Sequence, residues 1–169
     1  DRDIFEQSWA NVTKQHEMLR TLFRWQELAK PVQIVLKQHQ PEVRYHDLTH
    51  SEQPLHVLKE EVCTQDRQEG FDLQQVPFRL TLCEVNDEVS WVLISFHHIL
   101  LDGWSLGIVL SDWMNAYEHI SKGDKPLFEQ RPSYQSFVKW QQKKLEQTKA
   151  QADYWKKVLN GWSYSELLP

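Results

Sequence analysis

Apolar residues recur at spacings of three and four near the start of the chain. Ile4, Phe5, Ser8, Trp9, Val12, His16 and Leu19 predict one amphipathic helix over residues 3–20. The pattern then turns extended over Leu22 to Trp25, and Pro31 opens a short β-like run, Val32 to Leu36, rich in β-branched residues. After Pro41, Val43 to Leu48 alternates as a further strand. Ser51 followed by Leu55, Leu58 and Val62 predicts a helix ending near Gly70. Phe78 to Val85 alternates, and Val89 to Phe96 is apolar on both faces. The polar link Asn86-Asp87-Glu88 makes the two a β-hairpin, with the second strand expected at the centre of a covered sheet. Trp104, Ile108, Leu110, Trp113, Tyr117 and Ile120 predict a helix ending near Gly123. One long helix is expected from Ser133 to Leu159, stopped by Gly161, with Lys143, Lys144, Lys156 and Lys157 on a solvated face. Helices interleaved with strands give an α/β fold.

Composition narrows the function. The 169 residues suit one ordinary domain, and 40% hydrophobic residues with eight Trp supply a core. A formal net charge of −5 argues against a nucleic-acid binder. No apolar run reaches membrane-spanning length, and residues 1–10 do not form a signal peptide, so no membrane partner is expected. Cys63 and Cys83 have no metal-ligand spacing, which excludes a disulfide scaffold or zinc ribbon and makes a reducing, cytoplasmic setting the expectation. Both read as small apolar fillers. His46 and His50 read as solvated histidines. Because Asp1 leads straight into a helical pattern, the chain is expected to begin inside a larger protein.

The segment richest in chemistry is Phe96-His97-His98-Ile99-Leu100-Leu101-Asp102-Gly103-Trp104-Ser105, where a strand ends and a helix begins. Strand-end loops aim side chains into clefts, and histidine titrates near neutrality. Three readings compete. The histidines are satisfied core residues; or His97, His98 and Asp102 hold a metal; or one histidine is catalytic beside a structural neighbour. The metal reading is disfavoured because consecutive strand residues point to opposite faces.

A second segment adds weight to the catalytic reading. His16-Glu17, Leu19, Arg20 and Thr21 match an RHExLRT pattern in which Gln15 replaces the leading Arg, and His97 to Gly103 supplies HHxxxDG, followed by Trp104-Ser105. Tyr134 to Gln141 is similar to a YxDYAxWQ segment with Ser136 in place of the Asp, and Tyr154-Trp155, Leu159 and Gly161 to a YWxxxLxG stretch. Taken together, the chain resembles the condensation domains of nonribosomal peptide synthetases.

The resemblance implies one lobe of a chloramphenicol-acetyltransferase-like fold, a mixed central sheet flanked by helices. Residues 1–169 would form the N-terminal lobe, without its first elements and without the C-terminal lobe, whose linker Leu167-Leu168-Pro169 would begin. It further implies peptide-bond formation between acyl groups carried as thioesters on phosphopantetheine. The implied partners are donor and acceptor carrier proteins, the C-terminal lobe and an adjacent adenylation domain, with no directly bound cofactor or metal. His98 is the implied catalytic residue, as base, amine-positioning group or hydrogen-bond donor to the tetrahedral intermediate. His97 would pack on the other side of the strand, and Gly103 would give clearance to the arm or a backbone donor. Asp102 would be a buried structural carboxylate, partnered by Arg20, by an arginine of the other lobe or by backbone N–H groups. Trp104 and Trp155 would be packing residues. Trp104 and the paired histidines point to ordinary condensation rather than epimerisation or heterocyclisation, and the Ile99-Leu100-Leu101 spacer resembles that of L-donor domains. A carrier-docking lobe without catalysis and a stand-alone acyltransferase are the alternatives. An isolated lobe is expected to be inactive.

Overall fold

The computed structural model describes residues 1–145 and 148–162, so the expected linker at Leu167-Leu168-Pro169 lies outside the described residues. The chain divides into two compact units, Asp1–Glu129 and Gln130–Pro169.

The first unit opens with α1, Arg2–Gln15, whose N-terminus is capped by Asp1 accepting from the Ile4 N–H at 3.2 Å. The predicted single helix over 3–20 breaks at His16, where the backbone is extended (φ −98°, ψ 105°), and continues as a 3₁₀ turn, Glu17–Arg20. That break points the chain into β1, Thr21–Arg24, which pairs antiparallel with β2, Val32–Val35. A second sheet holds β3 (Glu42–Asp47), β4 (Phe78–Glu84) and β5 (Ser90–Phe96). β3 runs parallel to β4 and β5 antiparallel to it. The parallel pair needs a crossover, supplied by α2, Leu55–Glu69. The closing helix is α3, Gly103–Ser121. Lys122 caps its end, and Gly123 follows with a φ of 79° that favours glycine.

Which strand is central differs from the expectation. The order is β3-β4-β5, so β4 is the middle strand and β5 an edge of this sheet. The alternating strand can be central because its polar residues are satisfied inside. Arg79, 3% exposed, reaches α2 and binds Asp66 Oδ1 at 2.6 Å and Glu69 Oε1 at 3.1 Å. With Arg79 neutralised, Phe78 to Cys83 are all buried. On the opposite face Phe78, Leu80 and Leu82 meet Phe5, Trp9 and Val12 of α1 and Val109 and Ala116 of α3 in one core. Trp9 stacks on Trp113 at 5.1 Å and leans on Phe78 at 5.5 Å. The mixed sheet therefore lies between α2 on one face and α1 with α3 on the other. Cys83 is buried there, and burial pushes its thiol up to about 11, in keeping with a filler role.

In the second unit the expected helix over Ser133 to Leu159 is two helices, α4 (Tyr134–Leu145) and α5 (Lys149–Val158). Ser133 Oγ accepts from the Ser136 N–H at 3.3 Å at the start of α4. The Leu145 carbonyl is closed by the Thr148 N–H at 3.2 Å. Tyr134, Phe137 and Trp140 form a ladder of rings along α4, with centroids 5.7 and 5.8 Å apart. The four lysines expected on a solvated face are exposed.

Candidate active site

The segment from His97 to Trp104 is held between two anchors. On the strand side, the His97 N–H donates to the Pro77 carbonyl at 3.1 Å, tying the end of β5 to the entrance of β4. On the helix side, Leu100 and Leu101 are buried in the main core. Between them the Leu100 N–H closes a turn on the His97 carbonyl at 3.0 Å. The consequence is local and simple: Leu100 and Leu101 go inward, and His97, His98, Ile99, Asp102, Gly103 and Trp104 are left on the surface.

The two histidines differ in how they are held. His97 Nδ1 accepts from the Ile99 N–H at 3.1 Å, which folds the ring onto its own turn and places the neutral ring's proton on Nε2. Among the described residues no hydrogen bond fixes the His98 ring; it lies beside Phe96, with centroids 6.4 Å apart. The expected opposite-face arrangement rested on strand alternation. The strand stops at Phe96 and both rings are exposed, so hydrogen bonding rather than alternation distinguishes them.

Asp102 is the N-cap of α3, not a buried carboxylate. Its Oδ1 accepts from the Ser105 N–H at 2.7 Å. That backbone donor, then the Ser105 side chain, and more weakly the nearby His98, hold its carboxyl below the usual carboxylate range. The backbone N–H alternative for Asp102 thus describes the chain, and the Arg20 alternative does not. Arg20 Nη1 donates to the Leu36 carbonyl, and Nη2 lies 4.0 Å from Glu17. The 3₁₀ turn that ends α1 aims Arg20 at the loop after β2.

Gly103 is the first residue of α3, and a Cβ there would meet nothing within 4 Å. Trp104 is 86% exposed and Trp155 is exposed as well, so among the described residues neither is buried. Trp104 sits on the first turn of α3, one turn before exposed Ile108, on the side away from the buried Val109 and Ala116.

One pairing escaped sequence reasoning. His16 Nε2 lies 2.7 Å from Asp112 Oδ2, joining the end of α1 to the middle of α3. The signal was Asp112, the single charged residue in the stretch Gly103 to Tyr117. Gln15, which departs from the motif's arginine, donates from Nε2 to the Glu129 carbonyl at 2.9 Å. His46 and His50 lie outside this constellation, on β3 and in the loop after it.

This arrangement has counterparts among known proteins. A family model for the condensation domain matches residues 1–169. Bacitracin synthase 1 of Bacillus licheniformis is 36% identical over 169 residues, 99% of this chain and 3% of that protein. Bacitracin synthase 3 of the same organism is 34% identical over 171 residues, covering all of this chain and 3% of the synthase. In three dimensions the chain is similar to the starter condensation domain of rhizomide synthetase, with a TM-score of 0.83 at 22% identity over 96% of this chain and 40% of that one. It is equally similar to the epimerization domain from the third module of tyrocidine synthetase B, with a TM-score of 0.83 at 20% identity over 98% and 38%. The fold is therefore that of condensation and epimerization domains. The chain belongs to the condensation-domain family of nonribosomal peptide synthetases, and it spans only a few per cent of the length of the synthases it matches.

Proposed function

We propose that this chain is the His98-bearing lobe of a condensation domain that joins two carrier-bound acyl groups through an amide bond. In that reaction the acceptor amine nitrogen attacks the donor thioester carbonyl carbon. The C–S bond breaks, the amine loses a proton, and the donor arm leaves as a thiol. The observation that carries the reading is the presentation of His98: an exposed ring on a turn anchored by Leu100 and Leu101, beside a carboxylate held in its charged form at the start of α3. A ring so placed is available to take the amine proton or to orient the amine. His97, bound to its own turn, keeps the turn's shape. The larger contribution comes from holding two tethered reactants together, which in well-oriented systems is worth roughly 7–11 kcal/mol. Carrier proteins that deliver phosphopantetheine arms, a C-terminal lobe closing the other wall, and a neighbouring adenylation domain are the partners this requires. The protein supplies no cofactor of its own in this scheme.

The test is product formation from donor- and acceptor-loaded carrier proteins. This chain alone is expected to give no turnover, because its site residues lie on an open surface. Adding a separately made C-terminal lobe is expected to restore turnover, and His98→Ala in that pair to abolish it. Restored turnover that survives His98→Ala removes His98 from an essential role. Carrier binding without turnover in the restored pair favours the docking-lobe alternative.

A further inference from the structure

A cleft of about 630 Å³ opens beside the C-terminal half of α1, away from the segment His97–Trp104, none of whose residues line it. Its walls are Lys14, Arg20, Lys37 and His39, with Asn11, Gln38 and Gln40 among the neutral residues. The cations come from three separate pieces of chain: α1, the 3₁₀ turn and the loop between β2 and β3. Among the described residues no carboxylate lines the cleft, although the whole chain carries a formal net charge of −5. Glu17, which does not line the cleft, lies 4.0 Å from Arg20 Nη2.

Two of the lining residues also hold polar atoms without partners. Arg20 Nε and His39 Nε2 are buried and make no hydrogen bond. Neither atom is open to solvent, so the cleft offers a ligand chiefly the exposed ammonium groups of Lys14 and Lys37 beside the Arg20 guanidinium. From the structure we propose that this cleft binds a phosphoryl group, as a phosphate ester or diphosphate. A carboxylate is the poorer match. It is flat and takes a two-pronged fork from a single guanidinium. Here Arg20 Nη1 is committed to the Leu36 carbonyl and Nη2 faces Glu17, so the fork is already engaged. A tetrahedral phosphoryl group takes donors from several directions at once, as Lys14, Lys37 and Arg20 around the cleft offer them. The assignment is independent of the proposed condensation chemistry.

The experiment titrates the full 169-residue chain with inorganic pyrophosphate, followed by calorimetry and by amide chemical shifts. Saturable binding is expected, with shifts concentrated at residues 14–20 and 37–40. Lys14 and Lys37 are exposed, so the double variant Lys14→Gln/Lys37→Gln should fold normally, and it should weaken binding on the order of tenfold. The double variant Lys143→Gln/Lys144→Gln removes the same charge from α4 and should bind as the parent does. Coenzyme A and 3′,5′-adenosine diphosphate separate the sources: equal affinity assigns a free nucleotide-type phosphate, and tighter coenzyme A binding a pantetheine-bearing one. Absence of saturable binding overturns the proposal. So does equal weakening by the two double variants, or citrate binding as tightly as pyrophosphate.

Discussion

His16 Nε2 and Asp112 Oδ2 stand 2.7 Å apart, with both side chains largely withdrawn from solvent (15% and 13% exposed). The contact bridges two helices at the point where α1 gives way to the 3₁₀ turn. It fixes α3 against α1, and α3 carries Asp102 and Trp104 on its first turn.

Asp112→Ala is expected to lower stability by about 1–3 kcal/mol, since it strips a partly buried polar partner from His16. Denaturant unfolding of Asp112→Ala, His16→Ala and the double variant measures it. The double variant should cost clearly less than the sum of the singles. Strict additivity would show that the pair does not couple the helices.

At Asp102, the capping role predicts that Ala lowers the melting temperature while Asn, which also caps helices, keeps most of it. The carboxyl titrates below its ordinary value in the folded chain. Its contribution is therefore complete above the unfolded value of about 3.9 and is lost as pH falls further, through the folded value. Thermal melts of the parent and Asp102→Asn should converge as pH drops through that window.

Arg79 holds α2 on the sheet from the middle strand. Arg79→Ala is expected to cost about 3–5 kcal/mol, because Asp66 is left beside a buried, emptied position. Glu69, bound mainly by Arg44, has its carboxyl lowered from 4.5 to about 2. The stabilisation it gives is present above pH 4.5 and disappears as pH falls towards 2. Acid unfolding followed by circular dichroism should shift to higher pH in Arg44→Met. An unchanged acid transition would remove this network from the account.

Trp104→Ser is expected to leave the stability of this chain within about 0.5 kcal/mol of the parent, as for other exposed positions. It should also reduce self-association, since an indole this exposed beside Ile108 invites contact. Sedimentation velocity of the two proteins checks it. A large loss of stability would mean the indole packs within the chain.

The positions of helices and strands were legible in the sequence because they follow from local chemistry: three-and-four spacing, β-branched runs, and glycines such as Gly70 and Gly123 just past helix ends. The turn at His97 to Trp104 was legible for the same reason, since a strand pattern met a helix pattern there. What surrounds each residue was decided only in three dimensions. Arg79 made β4 look half-exposed until Asp66 and Glu69, from a helix elsewhere in the chain, neutralised it and let β4 take the centre. Asp102 suggested a buried ion pair, but the nearest donor was the backbone of its own helix. His16 found Asp112 ninety-six residues away, and Arg20 turned from the site to the cleft behind α1. Trp104, apolar enough to predict packing, stands in solvent, because burial depends on which surfaces the chain brings together and no spacing in the sequence records that.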